Sequence, residues 1–149
     1  MDITIPHSFE PVITLTKWSD PLVEYWGFEP DSLYVERFWL PVLGPTATWL
    51  VRRLNYELGN TSDFRGAVDI DLGYVATTMG LSFAAGRNSP FTKAIQRLVM
   101  FGIAHSTEDG FALRTMLPAV AGRHARRWPE AFKAEHDTIA SNHIKGLQP

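Results

Sequence analysis

From Arg87 to Arg97 the sequence sets Arg87, Asn88, Ser89, Thr92, Lys93, Gln96 and Arg97 where helical spacing makes one polar face. These side chains match the edges of base pairs. Arginine donates twice to guanine, asparagine or glutamine pairs with adenine, and threonine meets a thymine methyl. Ser89 stands just before Pro90, and a capped helix start with free N–H groups behind it suits a phosphate. A second group, Arg123, Arg126 and Arg127 beside His124, is the densest basic cluster in the chain. On a helix, the three arginines share a face by i, i+3, i+4 spacing. With Arg114 they would hold phosphates, which positions a duplex without reading its sequence. The same residues also fit a solvated helix face, or a set of partners for acidic residues elsewhere in the chain.

Those acids exist. Residues 1–36 carry seven carboxylates against Lys17, a net −6, so the remainder carries +4 within a total of −2. Residues 87–127 hold seven Arg and Lys against only Glu108 and Asp109. Such lopsided charge hints at a nucleic-acid face beside a part that does not bind.

Other chemistries find little support. There is no cysteine, hence no disulfide, zinc–thiolate site or thiol nucleophile. P-loop, GxSxG and HExxH patterns are absent. His136 and His143 fall seven apart, which suits one helix face but supplies no third metal ligand. Asp69 and Asp71 alternate at a strand end, and Asp71 already has work as a helix cap. No cofactor, metal or catalytic residue is expected. The opening MDITIPHSFEP lacks a basic and then apolar signal pattern, and no apolar run nears the roughly 18 residues of a membrane span. A cytoplasmic protein is the expectation, and Asn60-Thr61-Ser62 is then not a glycosylation site.

The elements that must position the polar face are legible from periodicity. PVITLTKW, Pro11 to Trp18, carries β-branched residues that favour a short strand. Pro21 to Trp26 suits a short helix, with Ser19 as cap and Gly27 as stop. Asp31 or Ser32 starts a turn toward Trp39, and Pro41 interrupts it. Pro45 opens a main helix whose Ala47, Leu50, Val51, Leu54 and Leu58 make one stripe, closed by Gly59-Asn60. A strand through GAVDIDL leads to Asp71, which caps a helix over Leu72–Met79. Ser89–Phe101 follows as a helix with Phe91, Ala94, Ile95, Leu98 and Val99 inward and Thr92, Lys93, Gln96 and Arg97 outward. Ile103–His105 and Phe111–Thr115 then form a hairpin in which Asp109-Gly110 supplies positive φ. Residues 117–140 read as one or two helices broken near Pro129, with a frayed polar tail.

This order, helix, strand, helix, helix, strand, strand, helix, resembles the winged helix-turn-helix domain over residues 45 to 116. By that resemblance Leu72–Met79 is the supporting helix, Ser89–Phe101 the recognition helix and the hairpin a wing. The wing departs from the pattern, because acidic Glu108 and Asp109 sit where basic residues usually meet a minor groove. The phrases SLYVERFWLPVLGPTATWLVRRL, GRNSPFTKAIQRLVMFGIA and LPAVAGRHARRWPEAFKAEHD resemble a family of small, uncharacterised winged-helix-like proteins of actinobacteria and their mobile elements.

The expectation is a mainly α fold with a small antiparallel β-hairpin, α+β in class. It divides into an aromatic-rich acidic extension (1–44), a winged-helix core (45–116) and a C-terminal helical segment (117–149). Its expected role is non-enzymatic binding of double-stranded DNA in transcription regulation. The alternative is a protein-interaction module on the same fold. Trp18, Trp26, Trp39 and Trp49, with Tyr25, Phe28, Tyr34 and Phe38, form either a satellite core or a homodimer or partner surface.

Overall fold

Ile13 and Leu15 alternate with Thr14 and Thr16, so one face of the first strand is buried and the other is not. The computed structural model describes residues 12–61, 66–83 and 89–147. Its elements in chain order are β1 (Val12–Lys17), α1 (Pro21–Trp26), a π-helical turn (Val35–Trp39), α2 (Leu40–Leu43) and α3 (Pro45–Thr61). There follow β2 (Ala67–Asp71), α4 (Leu72–Thr78), α5 (Pro90–Met100), β3 (Ala104–Ser106), β4 (Gly110–Leu113) and α6 (Glu130–Leu147). The class is α+β. Among the described residues the sheet is larger than a hairpin: four strands in the order β2-β1-β4-β3.

Strand β1 is central. It pairs antiparallel with β2, from Val12 opposite Asp71 to Thr16 opposite Ala67, and parallel with β4, from Thr14 opposite Gly110 to Lys17 opposite Leu113. The Thr14 hydroxyl donates to Asp69 at 2.8 Å, so that carboxylate serves the strand pairing. Gly110 is required by proximity, since a Cβ there would lie 2.4 Å from the Thr14 carbonyl oxygen. Its φ is not positive, contrary to the expected hairpin turn. The positive φ falls on Gly102, at 73°, where α5 stops and turns into β3. The strand limits also shift, to Ala104–Ser106 and Gly110–Leu113.

The helical stripes pack as the periodicity implies. Ala47, Leu50, Val51, Leu54 and Leu58 of α3 are all buried, as are Leu72, Val75 and Ala76 of α4 and Phe91, Ala94, Ile95 and Leu98 of α5. The same core includes Ile13, Leu15, Phe28, Tyr34, Phe38 and Trp39. Residues 12–44 are therefore built into sheet and core, and the core continues through Leu117 to Ala125. The aromatic group divides. Phe28, Tyr34, Phe38 and Trp39 are core, whereas Tyr25, Trp26 and Trp49 are exposed.

Asp20, not Ser19, caps α1, accepting from the Val23 amide. Asp71 caps α4 through Tyr74, and α3 runs two residues past Gly59. The largest departure is at 117–129, which is not helical. The backbone groups a helix would use are engaged elsewhere there. Leu117 and Phe28 exchange two backbone bonds of 2.8 Å, the Trp39 indole donates to the Pro118 carbonyl at 2.7 Å, and the Val120 amide donates to the Tyr34 hydroxyl at 2.8 Å. Beyond them Gly122 and successive short turns complete the path to Pro129. The tail is not frayed through residue 147. Helix α6 docks through His136 on Tyr34 and through His143 on the Gly27 carbonyl and the Phe28 ring.

Tyr34 links three segments. Its hydroxyl accepts from Val120 and sits 2.6 Å from His136 Nε2; with the ring proton on His136 Nδ1, 3.2 Å from Asp137 Oδ1, that nitrogen accepts from the phenol. Burial pushes the phenol up to about 12, so it stays protonated and able to donate. Tyr34→Phe leaves the Val120 amide and His136 Nε2 without their partner. Chemical denaturation should report a loss of about 1–3 kcal/mol, with faster exchange at the Val120 amide. Unchanged stability would contradict this role.

Candidate nucleic-acid interface

Helix α5 begins where Ser89 Oγ accepts from the Thr92 amide, with Pro90 at the first helical position. That cap fixes the helix, and it also uses the groups expected to face outward. Ser89 donates to Thr92 Oγ1 at 2.8 Å, and Thr92 is buried at 5% exposure. Thr92 is therefore a core residue and cannot reach a thymine methyl. Arg87 and Asn88 lie outside the described residues. Lys93 is exposed and Gln96 half-buried.

Arg97, one turn beyond Lys93, has a guanidinium with two roles. Its Nε and Nη2 donate to the carbonyl oxygens of Leu43 and Val42 at 2.8 and 2.9 Å, which ties α5 to the end of α2. Its charge is opposed by no carboxylate among the described residues. The guanidinium carbon lies 5.7 Å from the Phe101 ring centroid, and Phe101 meets His124 edge-on at 4.9 Å. His124 thus brings the 122–128 turns against the C-terminal end of α5. Partial burial, and next the Arg123 charge, hold its imidazole below the usual histidine range, so it is neutral near pH 7.

Arg123, Arg126 and Arg127 are exposed. They stand on turns rather than on one helical face, closed by bonds such as His124 N–H to Ala121 O and Trp128 N–H to Ala125 O. Among the described residues, no carboxylate of the acidic N-terminal segment pairs with them. Three of that segment's carboxylates go to other cations: Asp20 to Arg114 at 2.9 Å, Glu24 to Lys17, and Glu36 to Arg52 at 4.0 Å. Farther along, Arg37 holds Glu135 through two bonds of 2.7 and 2.8 Å.

Arg114 is the clearest correction. It is no phosphate contact. Its guanidinium lies 3.8 Å over the Trp18 ring, donates to Gly102 O at 2.7 Å and pairs with Asp20, with a side chain only 13% exposed. The wing-like tip is equally unsuited to a groove. Glu108 and Asp109 are exposed, and the Asp109 carbonyl accepts from the Thr14 amide of β1 at 3.0 Å.

Of the eleven expected contacts, then, Lys93, Gln96, Arg97, Arg123, Arg126 and Arg127 stay available, and the Phe101–His124 contact joins their two segments. Sequence gave no sign of that contact, because neither residue has a pattern of its own. Compared with protein-family models, curated proteins and solved structures, the chain gives no match. No helix among the described residues is long and apolar enough to cross a membrane.

Two predictions follow from these placements. Arg97→Met should cost about 1–2 kcal/mol in denaturant unfolding by freeing two carbonyls from a charged donor, whereas Lys93→Ala should change stability by less than about 0.5 kcal/mol. The second concerns pH. Hydrogen bonding to Arg114, chiefly, holds the Asp20 carboxyl below its ordinary value of 3.8. A depressed folded value stabilises above the unfolded value and is lost as pH falls through the folded one. Asp20→Asn should therefore flatten the stability curve below about pH 4 and leave its neutral-to-basic slope unchanged. An acid limb as steep as in the unaltered chain would contradict the pairing.

Proposed function

We propose that this chain is a non-enzymatic winged helix-turn-helix protein that binds duplex DNA through a cationic surface on α5 and the 122–128 turns, in transcription regulation. One observation carries the reading. Lys93, Arg97, Arg123, Arg126 and Arg127 have no acidic partner among the described residues, while Lys17, Arg37, Arg52, Arg114 and Lys133 all do. Unneutralised cations on adjoining elements are what a polyanion requires.

The element order α3, β2, α4, α5, β3, β4 supports the winged-helix assignment, with β1 entering between the strands that would otherwise pair. In this reading Lys93 and Gln96 face the groove, Arg97 adds charge at its edge, and the three arginines of the turns hold phosphates. The hairpin stays clear of the backbone, because Glu108 and Asp109 repel it. Affinity is thus mainly electrostatic, with few base contacts.

A second reading is favoured by a different surface. Leu22 of α1, Trp26 and Ile144 of α6 are exposed at 72%, 36% and 42%, around an apolar cleft of about 210 Å³. That face suits a protein partner or a second copy of the chain, and a homodimer would present two DNA surfaces.

Fluorescence anisotropy with a random-sequence duplex at low salt tests the main reading. Five cations predict log K falling with log salt at a slope near about −4.5, and replacing Arg123, Arg126 and Arg127 together by alanine should reduce it to about −1.8. Absence of binding, or a slope unchanged in the triple variant, would overturn it.

A further inference from the structure

The start of α3 and the end of α4 line a cleft of about 340 Å³, within the range of small-molecule sites. Pro45, Trp49, Arg53, Thr78, Met79 and Leu81 line it. We infer that this cleft is a binding site for a small organic anion: a flat, apolar body bearing one carboxylate.

Three observations carry this. The first is the exposed indole. Trp49 is 59% exposed, although the core stripe of its own helix is buried, and with Pro45, Met79 and Leu81 it makes an apolar wall. A flat hydrocarbon ring gains stacking and loses water against such a wall.

The second is charge. Adjacent arginines of α3 are used in opposite ways. Arg52 donates to the carbonyls of Pro30 and Ser32, lies 4.0 Å from Glu36 and has a side chain only 16% exposed. Among the described residues Arg53 has one hydrogen-bond partner, the Thr78 hydroxyl, and no carboxylate. A guanidinium has five N–H donors in a planar fork, so most of Arg53's remain for a ligand carboxylate.

The third is positioning. Thr78 Oγ1 also donates to the Val75 carbonyl at 2.8 Å, which fixes its lone pairs toward Arg53 and holds the guanidinium at the cleft. The hydroxyl positions Arg53 without neutralising it. A neutral ligand would leave the charge unanswered, a dianion would face one cation only, and a monoanion fits both wall and fork.

Ligand-observed NMR and calorimetry with 1-naphthoate, and with neutral 1-naphthamide as its control, test the assignment on the full chain. Saturable binding of naphthoate at about millimolar Kd or tighter is expected, with naphthamide at least about tenfold weaker. Arg53→Met, which keeps the apolar stem, should abolish the preference between the two, and Trp49→Ala should weaken both. If neither compound saturates, or if naphthamide binds the unaltered protein as well as naphthoate does, the site is not one for organic anions. The second comparison needs no variant, so a folding defect in Arg53→Met cannot hide the answer. Because the cleft shares no lining residue with the cationic surface, failure of duplex binding leaves this inference untouched.

Discussion

Strand β1 must satisfy its backbone on both edges, and that requirement organises the molecule. With β2 on one side and β4 on the other, residues near the N-terminus are hydrogen-bonded to segments that follow more than fifty and ninety residues later. A buried central strand cannot be withdrawn without exposing two ladders of donors and acceptors. The close approach at Gly110, the Thr14–Asp69 bond and the Trp18–Arg114–Asp20 stack all depend on β1 being there.

From that constraint the charge distribution takes its meaning. The acidic segment is brought beside the sheet and α6, where it neutralises Lys17, Arg52 and Arg114. The pairs are largely surface pairs, so each contributes modestly to stability. Their consequence is selective. They use up carboxylates on one set of cations and leave α5 and the 122–128 turns positive. A chain of net −2 can thus present a locally basic surface.

Local features were the most legible in the sequence. Ser89-Pro90 and Asp71 mark helix starts through side-chain chemistry that needs only three following residues, and both caps are present. The α3 stripe was equally plain, since periodicity of 3.6 reports burial directly. What could not be read was who partners whom. Arg114 and Arg97 have the same residue type as Arg126, yet one stacks on Trp18, one caps α2 and one stands in solvent. Nothing in sequence spacing distinguishes them. Thr92 reads as outward because a hydroxyl counts as polar, yet it is buried and Ser89 satisfies it there. The non-helical 117–129 segment was hidden for a related reason: its backbone is held by Phe28, Trp39 and Tyr34, all far away in sequence.

The central claim is that α5 and the 122–128 turns act as one surface toward a polyanion. Amide chemical-shift mapping during titration with a short duplex addresses it directly. The account predicts that shifts concentrate at residues 93–101 and 122–128, move together along one binding curve, and are absent from the hairpin tip at 107–110. Shifts centred on α1 and α6, or none at all, would contradict it.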